Sequence, residues 1–257
     1  MKTITSSKNP ICQWVKQLQT SKGRKLENAF WVDGEHMVQE AISQNAYPIK
    51  AIFVAEEKKE KYANLLNTVQ VEKYLLPLSL LESLSQVKTS QGISAVCEKN
   101  NISTLQNLGQ KIVLLENVQD PGNVGTILRT MDAAGFTGAL LTEGCSDPFS
   151  PKSLRASMGS IFRIPFIRIS ESTESIAELH KKGFTTIATC LEGTPYYSRK
   201  TLNSPLCVLM GNEGLGLKKE TINACVKRYR LPMLGGAESL NVAIATAIIL
   251  YDLQFRN

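Results

Sequence analysis

Apolar residues recur along this chain at two spacings, and the two alternate. Ile11, Trp14, Val15 and Leu18 fall at i, i+3, i+4 and i+7, the stripe of an amphipathic helix, with Lys8, Lys16 and Gln17 on its other face. The run Phe30, Trp31, Val32 reads as a strand that Gly34 breaks, and a helix is predicted from Glu35 to about Gln44. Residues 51–54 and 94–97 read as further strands, and residues 62–67 and 80–85 as short helices. This alternation predicts a small α/β unit over residues 1–98.

Residues 98–110 (EKNNISTLQNLGQ) are polar and turn-rich, and a linker is placed at 99–110. A second α/β series follows over 111–257, with a mainly parallel sheet. It opens with Lys111-Ile112-Val113-Leu114-Leu115, a continuous apolar run typical of a strand buried on both faces. A helix is predicted from about Asn123, a strand at 138–141, a short helix at 152–158 and strands at 184–190 and 207–210. The last helix is predicted from about Ser239 to Phe255, and it is apolar nearly all round. Such a helix must be covered, by its own domain or by a second copy of the chain.

Composition narrows the class. A chain of 257 residues, 43% hydrophobic and 20% charged, is a folded protein of one or two domains. No run approaches the length of a membrane span, and no apolar segment at the start reads as a secretory signal. The six cysteines form no C-x-x-C pair and only two histidines are present, so structural zinc is not expected, no metal is assigned, and reduced thiols in the cytoplasm are. The formal charge is +6, and its excess sits at one end: Lys2, Lys8, Lys16, Lys22, Arg24 and Lys25 all precede the first acid, Glu27.

Three loops carry candidate chemistry. In the first, after the strand at 111–115, Pro121 and Gly122 predict a sharp turn and Asn123 an N-cap. Val124, Ile127, Leu128 and Met131 then face the sheet, and Arg129 projects away from them, either as a functional group or as a solvated helix arginine. The second is GNEGLGL, residues 211–217. Its G-x-x-G-x-G spacing reverses the dinucleotide fingerprint, no phosphate-cradling P-loop is present, and Glu213 would repel a phosphate. It suits a ligand with hydroxyls, amines or positive charge, or it is a plain structural turn. The third, LPMLGGAESLNVAIA from Leu231, has Ser239 or Glu238 as a candidate cap for the last helix, with Asn241 beside it.

Together the three loops resemble the SpoU (TrmH-like) branch of the SPOUT RNA methyltransferases. The resemblance rests on NVQDPGNVGTILRT from Asn117, GNEGLGL from Gly211 and PMLGGAESLNVAIA from Pro232, in family order and spacing. It is strong over residues 111–257. Residues 1–98 resemble, less specifically, the substrate-binding α/β domain often fused to this one. The resemblance implies a SPOUT domain with a deep trefoil knot, a rare exception to the usual rules of chain connection. It implies S-adenosylmethionine held by Leu209, Gly211, Leu231, Met233 and Leu240, largely through backbone groups, and a homodimer through the knot region and last helix.

The implied reaction is methyl transfer to a ribose 2′-hydroxyl. Arg129 would activate or orient that hydroxyl, Asn123 and Asn241 would position Arg129 or the ribose, Ser239 would orient the site, and Glu213 would hold the second loop or face the sulfonium. RNA contacts are expected from Lys8, Lys22, Arg24 and Lys25, and from the basic segment 150–169 with Lys152, Arg155, Arg163 and Arg168. Ribosomal RNA of the 23S type is the first expectation and transfer RNA the alternative. A non-catalytic RNA-binding or ribosome-assembly protein on the same fold is the competing class.

Overall fold

The computed structural model describes residues 1–85, 89–99, 103–203 and 205–256. They form two compact units, Met1–Ile102 with Phe149–Arg163, and Ser103–Pro148 with Ile164–Asn257. One segment departs from the division read in the sequence: residues 149–163, expected inside the second domain, pack with the first unit. Aromatic burial explains this. The Phe149 ring lies 4.5 Å from that of Phe30, the Phe162 ring lies 6.0 Å from that of Tyr47, and the Arg163 guanidinium pairs with Glu40. Of the expected linker, residues 100–102 lie outside the described residues, and Leu105–Leu108 form a 3-10 turn with Leu108 buried.

The first unit holds β1 (Lys2–Thr3), α1 (Pro10–Leu18), α2 (Ser21–Leu26), β2 (Ala29–Asp33), α3 (Glu35–Gln44), β3 (Ile49–Ala55), α4 (Ala63–Asn67), β4 (Glu72–Leu76), α5 (Leu78–Leu84) and β5 (Ile93–Glu98). A short helix, Pro151–Ser157, joins them from the distant segment. The sheet order is β1-β4-β3-β5-β2, with β5 antiparallel to both neighbours. Pro10 opens α1, and the Asn9 side chain accepts from the Ile11 N–H. Cys12, Val15 and Leu18 of α1 are buried in one core with Phe53, Tyr74 and Leu76.

The α2 helix, SKGRKL, has no apolar stripe. Its Thr20 cap accepts from the Gly23 N–H, and Arg24 is buried, 3% exposed. One guanidinium nitrogen donates to the carbonyls of Leu18 at 3.0 Å and Gln19 at 3.1 Å, at the open C-terminal end of α1. The RNA contact expected of Arg24 is therefore corrected: the fold uses this cation to satisfy backbone acceptors. Lys8, Lys22 and Lys25 remain exposed, as do Lys152 and Arg155.

The second unit holds β6 (Lys111–Leu115), α6 (Pro121–Ala133), β7 (Gly138–Thr142), β8 (Phe166–Ile169), α8 (Ser172–Lys181), β9 (Thr185–Pro195), β10 (Leu206–Met210), α9 (Lys219–Ala224), β11 (Lys227–Arg230) and α10 (Val242–Phe255). In chain order the helix Pro151–Ser157 is α7. The sheet runs β11-β9-β10-β6-β7-β8 and every neighbouring pair is parallel. Parallel strands release their following loops at one edge, so the loops after β6, β10 and β11 emerge together. Those are the three motif loops.

Two helix starts differ from expectation. Asp120, not Asn123, caps α6: its side chain accepts from the Asn123 N–H, and Pro121 fills the first helical position, where a missing N–H costs nothing. Asn241, not Ser239 or Glu238, caps α10 by accepting from the N–H groups of Ala243 and Ile244. Residues 231–240 are thereby left as an irregular loop. Among the described residues, no helix is long and apolar enough to cross a membrane.

The position of Arg24 has a measurable consequence. Arg24→Met keeps the aliphatic stem but leaves two carbonyls without their donor, so stability should fall by about 1–3 kcal/mol in urea unfolding. The salt dependence of RNA binding should not move. A stable variant with a flattened salt dependence would return Arg24 to the RNA surface.

Candidate active site

At the end of β6, Glu116 is 1% exposed and braces the second loop from below. Its carboxylate accepts from the Lys218 N–H at 2.7 Å and from the Thr221 hydroxyl at 2.5 Å. Asn117 follows in the left-handed region, φ 56°, which asparagine tolerates. Its carbonyl accepts from the Asn212 amide at 2.8 Å, while Asn212 Oδ1 accepts from the N–H groups of Gly214 and Leu215. The second loop is thus closed by an asparagine turn of its own. Gly211 is obligatory there, because a Cβ would stand 2.2 Å from the Gly216 carbonyl carbon.

Glu213 joins this loop to the first. One carboxylate oxygen accepts from the Asn123 amide at 2.9 Å and from the Asp120 N–H at 3.1 Å, and the other accepts from the Gln119 N–H at 3.3 Å. Asn123 passes the connection on: its carbonyl oxygen accepts from the Asn241 amide at 3.0 Å. Asn241 Oδ1 in turn caps α10. One polar relay, Glu213–Asn123–Asn241, therefore ties all three motif loops at the sheet edge. Burial pushes the Glu213 carboxyl up, but the hydrogen bonds from Asn123 and from backbone N–H groups outweigh it and hold it below its ordinary value.

The relay gathers three of the five residues expected to be catalytic. Arg129 is outside it. It is exposed on α6, six residues beyond Asn123 and so about 9 Å further along the axis. Ser239 is exposed in the third loop, and among the described residues its side chain makes no hydrogen bond that joins it to the relay. Both amide atoms of Asn123 are engaged, by Glu213 and Asn241, so its side chain joins the first loop to the other two. Of the expected cofactor residues, Gly211 is buried, Leu231 and Met233 are half-buried, and Leu240 is exposed. Leu209 lies in the sheet core, with its carbonyl accepting from the Thr189 hydroxyl.

The basic segment 150–169 also divides. Arg163 is paired with Glu40, and Arg168 donates to the carbonyls of Thr142, Cys145 and Ser146. Arg163 is half-buried in its pair, while Arg168 makes its bonds from an exposed position. Reading residue types missed Glu116, Asn212 and Asp120. For Asp120 and Asn212 the signal was local, since each adjoins a proline or glycine turn whose backbone donors need an acceptor; Glu116 accepts from Lys218 and Thr221, about 100 residues away in the chain, and had none.

The third loop has the character of a ligand cradle. Among the described residues, 231–240 make no backbone–backbone hydrogen bond, so their N–H and C=O groups face other partners. Leu234 within the loop is 99% exposed. Free backbone groups next to apolar side chains suit a molecule with a flat ring, hydroxyls and a charged tail.

Residues 110–251 match the SpoU rRNA Methylase family, and residues 9–95 match the MRM3-like substrate binding domain. A 23S rRNA (guanosine(2553)-2′-O)-methyltransferase of Bacillus subtilis is 34% identical over 99% of this chain and 100% of its own length. The crystal structure of an rRNA methyltransferase from Sinorhizobium meliloti superposes with a TM-score of 0.89 at 31% identity, over 99% of this chain and 98% of that one. AviRb, a SpoU methyltransferase from Streptomyces viridochromogenes solved with AdoMet, does so with 0.88 at 26% identity, over 97% of this chain and 98% of that one.

The lowered carboxyl of Glu213 sets a pH dependence. A depressed folded value contributes stability that is present above the ordinary carboxylate range and lost as pH falls through the folded value. Glu213→Gln should destabilise the protein at pH 7 by less than about 1 kcal/mol, because the carboxylate is exposed and water screens it, and the gap from the unsubstituted protein should close as pH falls below the ordinary carboxylate range. Equal destabilisation at pH 7 and pH 3 in denaturant titrations would show that the charge on Glu213 plays no part.

Proposed function

The chain belongs to the SpoU rRNA methylase family, and on that premise we propose that it transfers the methyl group of S-adenosylmethionine to a ribose 2′-hydroxyl of 23S ribosomal RNA. The observation that carries this reading is the relay Glu213–Asn123–Asn241, which holds the three motif loops as one site. The full-length likeness to the Bacillus subtilis enzyme supports the ribosomal substrate over transfer RNA.

When bound, S-adenosylmethionine supplies an electrophilic methyl group on a sulfonium. Gly211, Leu231, Met233 and Leu240 would hold it, largely through backbone groups, together with Leu209 at the end of β10. Ser239 orients the site from the third loop. Glu213, Asn123 and Asn241 are positioning residues: they fix the loops before the reactants arrive, and most of the rate gain in such a displacement comes from held geometry. The trefoil knot implied by the family is taken to run through these same loops.

Arg129 handles charge. A guanidinium is a delocalised cation that does not give up its proton in proteins, so an arginine is a poor base. It clamps the oxygen that turns negative as the 2′-hydroxyl proton leaves to a phosphate or to water. Lys8, Lys22, Lys25, Lys152 and Arg155 grip the RNA. The chain acts as a homodimer in the cytoplasm, and Arg129 faces a site shared across the dimer. This is supported by α10, on which Phe255 is 70%, Ile244 54% and Tyr251 44% exposed. Its six cysteines, all unpaired, fit a reducing compartment.

Arg129→Ala tests the assignment. Cofactor binding by calorimetry should stay within a few-fold, while 2′-O-methylation of an unmodified large-subunit transcript should fall by about 100-fold or more. Near-normal turnover would sink the role given to Arg129.

A further inference from the structure

Counted over the two units, the whole formal excess of six lies in the first, with 16 basic and 10 acidic residues, while the second has 13 of each. Inside that neutral second unit the charge is uneven. Residues 218–230 hold five cations (Lys218, Lys219, Lys227, Arg228 and Arg230) and one acid, Glu220; the rest of the unit has 8 basic and 12 acidic residues. We propose that this cationic edge, centred on β11, is an RNA-docking surface of the catalytic unit, taking the phosphate backbone next to the methylated nucleotide. The inference rests on the RNA methyltransferase reading above.

Three features separate this surface from an ordinary solvated face. The first is its place in the sheet. β11 is the outermost strand, paired only with β9, and Lys227, Arg228 and Arg230 are all exposed while Tyr229 anchors the strand inward. Gly193 lets the strands approach: a Cβ there would stand 2.6 Å from the Tyr229 carbonyl carbon. An edge strand that carries lysine and arginine also avoids adding another strand, so its cations remain open to a polyanion.

The second is pairing. Lys218 has a long contact to Glu171, 3.9 Å, and Arg228 reaches the Asn223 carbonyl at 3.5 Å. Among the described residues, Lys219, Lys227 and Arg230 have no ion-pair partner. Glu220 lies within the segment, Glu213 and Glu238 are the acids that flank it in sequence, and Glu192 sits on the neighbouring strand β9; all four are exposed. The third is position. Arg230 is the residue directly before the 231–241 loop, and β11 is about 13 Å long at the usual rise per residue. A phosphate chain lying on β11 therefore runs to the rim of the site.

The test uses the full chain and an unmodified large-subunit rRNA transcript. In the triple variant Lys227→Gln/Arg228→Gln/Arg230→Gln, RNA affinity at moderate salt should fall at least about tenfold. The slope of log affinity against log salt should shrink by about two to three, at roughly 0.7–0.9 per lost phosphate contact. S-adenosylmethionine affinity should be unchanged. The charge-conserving variant Lys227→Arg/Arg228→Lys/Arg230→Lys should bind RNA normally, and single Lys227→Gln and Arg230→Gln should each lose about one contact of slope. Unchanged RNA affinity and slope in the folded glutamine variants overturns the proposal, as does loss of binding to anionic lipid vesicles with RNA binding intact. If the unsubstituted protein neither binds S-adenosylmethionine nor methylates the transcript, it is the function that fails. If it methylates the transcript and the triple variant binds RNA as tightly, only the docking surface fails.

Discussion

A wholly parallel sheet places the carboxyl ends of its strands on one side, and in the second unit that geometry brings three distant stretches of chain to one edge. Proximity alone would leave them as three separate loops. The Glu213 carboxylate converts them into one object. It accepts two backbone N–H groups and one amide from the first loop, and Asn123 extends the connection to Asn241. Each of these donors would otherwise face water at the end of a helix or turn. The relay thus settles the orphan donors of two helix starts and the spacing of the loops with the same few bonds.

The two units distribute charge differently. The first carries the net excess, yet it does not leave every cation open: Arg24 closes the end of α1 and Arg163 pairs with Glu40. The second is neutral as a whole and places five of its 13 cations in residues 218–230, three of them on the edge strand β11. In both, arginine with its several donors serves backbone carbonyls and carboxylates, as Arg24, Arg163, Arg168 and Arg199 do. The exposed cations of the N-terminal run are all lysines.

Elements with a strong apolar period were legible in the sequence. The Ile11–Leu18 stripe and the 111–115 run became α1 and β6. The elements that escaped have a physical reason to do so. In α8 the buried positions are Ser172, Ser175, Ile176 and Leu179, a stripe half made of serine. In β11 only Tyr229 faces inward, because an edge strand packs on one side. The site was legible as three motifs. Which side chains touch was not: the caps moved from Asn123 to Asp120 and from Ser239 to Asn241, since each choice turns on where a loop delivers the backbone. Arg24 was misjudged because residue type cannot reveal two carbonyls a few residues upstream.

The excursion of residues 149–163 into the first unit gives the chain three covalent passages between units, where a simple two-domain protein has one. The units cannot be separated by cutting the polypeptide near residues 99–110. The excised second part would still carry Phe149, Leu154, Ile161 and Phe162, a buried apolar group stripped of the sheet it packs on. A nick at that point leaves the halves held by a non-covalent clasp, and a truncation there makes a sticky fragment. In the language of assembly, the first unit is less an appended module than a partly shared one, completed only after more than half of the chain has been made.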